Sequence, residues 1–125
     1  MRTPLEAVSD QLTAYNAHDL DTFVALYSPD VKLWRGNGEL SCDGRDAMRQ
    51  QYGPYFAAHP NLRAHIFGRL VGGATTVIDH EWVTGRSDGA VLEVFATFEV
   101  IGGLITQVWF RQERRIEPSG QPASA

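Results

Sequence analysis

At residue 61 the hydrophobic period of the chain changes, and that change limits the possible fold more than any other feature. Before it, apolar residues recur three and four apart; after it, they alternate. The segments "NLRAHIFGRLV", "TTVIDHEWVTG", "AVLEVFATFEVI" and "LITQVWFRQERR" read as four long strands. "GRSDGA" and "GG" join the last three as hairpins. In the third segment Leu92, Val94, Ala96, Phe98 and Val100 form an apolar face opposite Glu93, Thr97 and Glu99, which identifies the inner side of the sheet.

The first half must supply the cover for that face. Thr3 as N-cap, Pro4 at the first helical position and Glu6 three residues past the cap predict a helix start. Leu5, Val8, Leu12 and Tyr15 carry its apolar stripe to about Ala17. Asp19 caps a second helix with Leu20, Phe23, Val24 and Tyr27 on one face, ended by "SPD". "VKLW" reads as a short strand before the turn "RGNGEL". A third helix starts near Gly44 with Met48, Tyr52, Tyr55 and Phe56 in a stripe, and Gly53-Pro54 is expected to bend or break it. The fold class is therefore α+β: helices first, packed as one layer on a curved antiparallel sheet. Residues 1–117 form the expected single domain, and the Pro/Ser/Ala-rich 118–125 reads as a disordered tail.

Within the second strand, Asp79, His80 and Glu81 stand side by side. Alternation places the two carboxylates on one face and His80 on the other, so the triple cannot ligate a metal as one cluster. If "RSDG" is a four-residue loop, Val83 opposes Leu92, Glu81 opposes Val94 and Asp79 opposes Ala96, and both acids face inward. A one-residue slip would turn Ile78, His80 and Trp82 inward instead. Inward carboxylates roughly 6–7 Å apart on alternate residues must be paired, hydrogen-bonded, protonated or hydrated. In a pocket, such a pair can raise one pKa and hold a proton for transfer, which makes Glu81 and then Asp79 the candidate catalytic residues. The plainer alternative pairs a carboxylate with a nearby arginine for structure.

Charge and composition narrow the partners. A net charge of −4 and a pI near 5.5 leave no basic excess for nucleic acid or a membrane surface. The single cysteine, Cys42, excludes an internal disulfide, suits a reducing cytoplasm and has no adjacent base to make it a nucleophile. No apolar run has the length of a signal sequence or a membrane span. No His/Cys/carboxylate spacing forms a metal motif, and "RGNGEL" lacks the lysine of a phosphate loop.

"YNAHDLDTFVALYSPDV", the helix start at "CDGRDAMRQQY" and the closing "GGLITQVWF" resemble the nuclear transport factor 2-like superfamily over about residues 5–114. That group holds the ketosteroid isomerases and the SnoaL-like polyketide cyclases. The resemblance implies a cone, with three helices closing the mouth of a bent sheet around a pocket. It further implies a pocket for a small apolar or aromatic molecule, no organic cofactor and a homodimer packed through the outer sheet face. Ketosteroid isomerases use an aspartate base with a tyrosine and a protonated aspartate as donors. Overlaid through "NAHDLD", the tyrosine donor falls at Gln11, the base at Arg35 and the protonated aspartate at Ala96, so all three are replaced. The supporting tyrosines correspond to Tyr27 and Tyr52. The overlay places Val94, Ala96, Phe98, Val108, Phe110 and Gln112 on the pocket side with Asp79 and Glu81. It brings Arg35 in from the opposite wall, either clamping a ligand or neutralising the two acids. Tyr15, Tyr27, Tyr52 and Phe56 complete the expected substrate-binding set. A different reading keeps the fold without chemistry, as a binding or dimerisation module using Phe67, Trp82 and Trp109 on the outer face.

Overall fold

The computed structural model describes residues 1–118; of the expected tail, only Pro118 falls within them. The helices are α1 (Pro4–Asn16), α2 (Leu20–Ala25) and α3 (Arg45–Ala58). The strands are β1 (Tyr27–Arg35), β2 (Glu39–Asp43), β3 (Arg63–Gly72), β4 (Thr76–Thr84), β5 (Val91–Ile101) and β6 (Leu104–Ile116). They form one curved sheet in the order β2-β1-β6-β5-β4-β3. The helices cover its inner face, with α1 lying across β3 to β6 and α3 against β1 and β2.

Local chemistry places the helix starts. The amide of Glu6 donates to Thr3 Oγ1 and the amide of Thr3 donates to Glu6 Oε1, a complete capping box. Asp19 Oδ1 accepts from the Thr22 amide to cap α2. Pro54 does not break α3, which runs on to Ala58 with Met48, Tyr52 and Phe56 buried along one side. Burial of that stripe on both sides of the proline outweighs the one hydrogen bond that its missing N–H removes.

Two elements depart from the sequence pattern. β1 begins at Tyr27, because Tyr27 already pairs with Ile105 while the register shifts between Tyr27 and Lys32, where Pro29 needs no ladder bond. This pairing with β6 is parallel, the exception in an otherwise antiparallel sheet. The chain reaches the far edge through α1 and α2, so β1 enters running with the final strand. β2 is a short edge strand of mostly exposed residues and shows no alternation to announce it.

The β4–β5 hairpin adopts the four-residue-loop register, with Asp79 opposite Ala96, Glu81 opposite Val94 and Val83 opposite Leu92. Between β5 and β6, Gly102 and Gly103 take φ of 62° and 81°, the geometry of a tight primed turn.

Two of the bulges in the sheet decide which residues reach the candidate site. In β3 the register shifts between Ile66 and Gly68, leaving Phe67 unpaired and 66% exposed. In β6, Glu93 pairs with Arg114 but Phe95 pairs with Arg111, and Gln112 takes φ 57°. Each bulge inserts one residue, so inward and outward positions exchange beyond it. Among the described residues no helix is long and apolar enough to cross a membrane.

Gly85 holds the start of the β4–β5 loop against the chain before β3: its φ is +76°, and an added Cβ would lie 1.8 Å from the Asn61 carbonyl oxygen. Gly36, with φ +56°, has nothing within 4 Å. Gly85→Ala is expected to cost more than about 3 kcal/mol and Gly36→Ala about 1 kcal/mol. Urea denaturation of the two variants checks the difference.

Candidate functional site

The titratable pair on β4 divides into two unlike groups. Asp79 is wholly buried, 0% exposed, and is gripped by Arg69, whose Nε and Nη2 donate to Oδ1 and Oδ2 at 2.6 and 2.8 Å. Arg69 Nη1 also donates to Ser9 Oγ at 3.0 Å, tying α1 to the sheet. The β3 bulge brings Arg69 to the inner face: simple alternation from Ala64 would have sent it to solvent. Of the two roles left open for Arg35, clamping a ligand or neutralising the acids, the neutralisation of Asp79 falls to a different residue. The counter-ion of Asp79 is Arg69, and Asp79 sits in a closed ion pair rather than on a cavity wall.

Glu81 faces a cavity of about 280 Å³ between the helices and the sheet. That volume is close to the lower end of ligand pockets, roughly 300–1,000 Å³. Its carboxylate has no hydrogen-bond partner among the described residues. Burial, then repulsion from Asp79, raises its pKa from 4.5 to about 8, against smaller opposing effects of Arg69 and Arg35.

Around it the wall is aromatic. Phe23 lies 5.0 Å from Tyr52, 5.1 Å from Tyr27 and 5.8 Å from Tyr15 between ring centroids. Burial, with smaller contributions from neighbouring groups, pushes the Tyr52 hydroxyl up to about 12 and those of Tyr15 and Tyr27 well above the ordinary range. These phenols therefore stay protonated, as donors rather than bases. The Tyr27 hydroxyl is already committed, donating to Gln11 Oε1 at 2.9 Å.

Arg35 stands on the cavity wall with its guanidinium 4.1 Å over the Phe110 ring and Nη1 donating to Glu113 Oε1 at 3.2 Å. Arg86, also on the cavity wall, donates to the Tyr55 hydroxyl at 2.9 Å and to Asp88.

Of the other expected wall residues, Tyr15, Tyr27, Tyr52, Val94, Phe98 and Phe110 line the cavity. Phe56, Ala96, Val108 and Gln112 do not. Phe56 backs Tyr15 at 5.3 Å and stacks on His18 at 5.1 Å, one layer behind the wall. Ala96 and Val108 are sealed in the core, 0% and 1% exposed. Gln112 is displaced by the β6 bulge, which hands its inward position to Glu113. The sequence reading missed Arg69 and Glu113 because both owe their direction to a bulge. It missed Arg86 because a hairpin loop gives no facing signal, and it placed Tyr55 in the stripe of α3 without assigning it to the site.

On the outer face His80 points away from the cavity, as alternation requires. Its Nε2 lies 2.7 Å from Glu93 Oε2, and its ring stacks on Phe95 at 4.5 Å. Cys42 is buried beside Gln51, and burial raises its thiol pKa, which makes it a poor nucleophile. Among the described residues no group of three His, Cys, Asp or Glu side chains is placed to hold a metal ion.

Residues 8–108 match the SnoaL-like domain. The chain belongs to that family. The SnoaL-like domain lies within the nuclear transport factor 2-like superfamily, and solved structures with the same architecture agree. An uncharacterised cystatin-fold protein from Novosphingobium aromaticivorans is 26% identical, with a TM-score of 0.80, 90% of this chain and all of that one being covered. A candidate polyketide cyclase from Sinorhizobium meliloti is 19% identical, with a TM-score of 0.71 over 84% of this chain and 93% of its own. A protein of ketosteroid isomerase-like fold from Catenulispora acidiphila, in complex with trimethylamine, is 18% identical, with a TM-score of 0.71 over 87% of this chain and 85% of its own. No curated protein matches. At these identities the last two likenesses concern the SnoaL-like fold alone.

Two predictions separate the acids. Arg69→Met strands a buried charge and is expected to cost about 3–5 kcal/mol, whereas adding Asp79→Leu to it should return most of that loss in urea denaturation. Glu81 acts on stability in the opposite sense. Its folded pKa of about 8 exceeds the unfolded value of 4.5, so its contribution is fully present below pH 4.5 and is lost as pH rises through 8. Glu81→Gln lacks that dependence. Its melting temperature should therefore gain on the wild type between about pH 4.5 and pH 8, then hold a constant lead.

Proposed function

We propose that this SnoaL-like protein carries out cofactor-independent acid–base chemistry on a small, mostly apolar molecule, with Glu81 as the proton-transferring group. One observation carries the reading: a carboxylate without a partner, in an aromatic cavity, whose pKa lies near 8. At neutral pH both forms of such a group are populated, which suits it to take a proton from one position of a substrate and return it to another. Ionised Glu81 would take a proton from a carbon next to a carbonyl, the C–H electron pair passing into an enolate. The protonated acid would then give the proton back. Tyr15 and Tyr52 offer phenolic donors in the same wall, and Arg35 and Arg86 would set the orientation of a polar end. Isomerisation, cyclisation, dehydration and hydrolysis all fit that frame. The resemblance to a candidate polyketide cyclase and to a ketosteroid isomerase-like fold supports it only at the level of architecture.

A second reading rests on the outer face, where Phe67 is 66% exposed and packs on His80 and Trp82, and Phe95 is 38% exposed and stacks on His80. There the domain is a homodimerisation module whose cavity does no chemistry.

Hydrogen–deuterium exchange of small cyclic ketones in heavy water, followed by NMR, tests the first reading. The wild type should accelerate exchange next to the carbonyl, and Glu81→Gln should lose roughly 100-fold or more of that rate. Equal rates in the two proteins would sink it. Sedimentation of Phe67→Glu against the wild type addresses the second: a dimer that dissociates on this change supports it, and an unchanged mass in both counts against it.

A further inference from the structure

Four charged side chains line the cavity: Arg35, Arg86, Glu81 and Glu113. They are not equally committed. Arg86 meets Asp88 with two prongs, at 3.2 and 2.9 Å, and its third arm goes to Tyr55. Arg69, behind the wall, holds Asp79 in the same two-pronged manner. Arg35 is held differently. The carboxylate it meets among the described residues is Glu113, through Nη1 alone at 3.2 Å, and the Glu113 side chain is 47% exposed. A single-pronged pair open to water is weak, because hydration of both charges competes with it and two flexible side chains must be ordered to make it. The Phe110 ring, 4.1 Å from the guanidinium carbon, holds the plane of the group without using its N–H donors. Arg35 is thus a preoriented fork whose present partner is easily replaced.

The same part of the wall supplies a second donor. Tyr52, on α3, is 6% exposed and lines the cavity, and its hydroxyl proton has no acceptor among the described residues. Burial pushes that phenol up to about 12, and the charge of Arg35 is the next influence, opposing the rise. Glu81 does not take the guanidinium. Of the influences on its carboxyl the effect of Arg35 is the smallest, and with a pKa near 8 that carboxyl is mostly protonated at neutral pH. A planar cation, a phenolic donor and an aromatic floor together suit a carboxylate, whose two oxygens match the guanidinium fork.

We propose that the cavity takes its ligand as a carboxylate, which displaces Glu113 from Arg35 and accepts from Tyr52 while its apolar body lies against the aromatic wall. Glu113, brought to this place by the β6 bulge, is then a built-in competitor that occupies the cation until a ligand arrives. The assignment narrows the substrate class of the same cavity. For the proton transfer, on which its catalytic meaning rests, the substrate is an oxo acid, anchored by its carboxylate at Arg35 and presenting a C–H beside its ketone to Glu81. The binding meaning rests on Arg35, Tyr52 and Glu113 alone. A neutral ketone of the same shape leaves the fork to Glu113 and binds less tightly.

The test uses two oxo acids, 4-oxocyclohexanecarboxylate and 3-benzoylpropanoate, each against its carboxamide, which keeps the shape and loses the charge. Titration calorimetry should show the wild type binding the carboxylates about tenfold more tightly than the carboxamides, and Arg35→Gln should bring the two to parity. Arg35→Lys should restore part of the preference, since it returns the charge without the fork. Glu113→Gln removes the competitor and should tighten carboxylate binding roughly twofold to fivefold, with the carboxamides unchanged. In the Arg35→Gln background the same change should do nothing, which separates displacement from a general gain in positive potential. Glu113 is half-exposed, so this arm holds even if Arg35→Gln fails to fold. In nitrogen-15 NMR, the Arg35 Nε–H signal, assigned by its loss in Arg35→Lys, should move on adding a carboxylate and stay in place with the carboxamide.

Equal binding of carboxylate and carboxamide by the wild type, or binding of neither, overturns the inference. So does a preference that survives Arg35→Gln, or one that Arg86→Gln removes instead, which would move the anion site to the other arginine. An Arg35-dependent preference with no catalysed hydrogen–deuterium exchange beside the ketone would leave the carboxylate site standing and remove the proton transfer. Exchange that depends on Glu81, runs equally in acid and amide and is indifferent to Arg35→Gln would do the reverse.

Discussion

A carboxylate sealed completely from water has to be compensated where it stands, and most of the architecture around β4 answers that demand of Asp79. The two-pronged grip of Arg69 supplies the compensation, and the third arm of the same guanidinium reaches Ser9 on α1. One arginine thus holds the edge hairpin and the covering helix to a single point. Because the pair is neutral as a unit, the sheet can bury it. Because it is not perfectly symmetric about its neighbours, Asp79 still raises the pKa of Glu81 two residues along.

The two acids therefore form a division of labour that a count of carboxylates would miss. Asp79 is fixed and silent. Glu81 has the same direction from the sheet but no cation of its own, since Arg35 is occupied by Glu113 and lies over Phe110. Left with burial as its main influence, it titrates near neutrality. Burial pushes the phenols around it upward as well, and they stay neutral. The cavity thus holds Glu81, a carboxylate without a cation of its own, among phenols that stay protonated.

Much of this was legible in the sequence where one rule governs. The period change at residue 61, the Thr3–Glu6 cap, the Asp19 cap and the register of the "RSDG" hairpin all follow from local chemistry. The inward direction of Glu81, Val94 and Phe98 follows from them, whereas that of Phe110 came from the family overlay. Legibility stopped where a single inserted residue reset the alternation. Arg69 and Glu113 both have the wrong parity for an inward side chain when counted from Ala64 and Phe110, and both face inward because Phe67 and Gln112 are bulged. Phe56 failed for another reason: a helical stripe reports that a residue is buried but not how many layers separate it from an empty space.

The bulges carry an evolutionary consequence. In a sheet that encloses a cavity, a substitution changes one wall residue, whereas gain or loss of one residue in a strand exchanges the entire wall beyond that point. Deleting the extra position near Gln112 would trade Glu113 for Gln112 and release Arg35; deleting the one at Phe67 would withdraw Arg69 from Asp79. Single-residue insertions and deletions in β3 and β6 are therefore a short route by which descendants of one ancestor can come to hold different charges around the same hollow. Relatives compared column by column, without allowance for such slips, would be assigned the wrong inward residues.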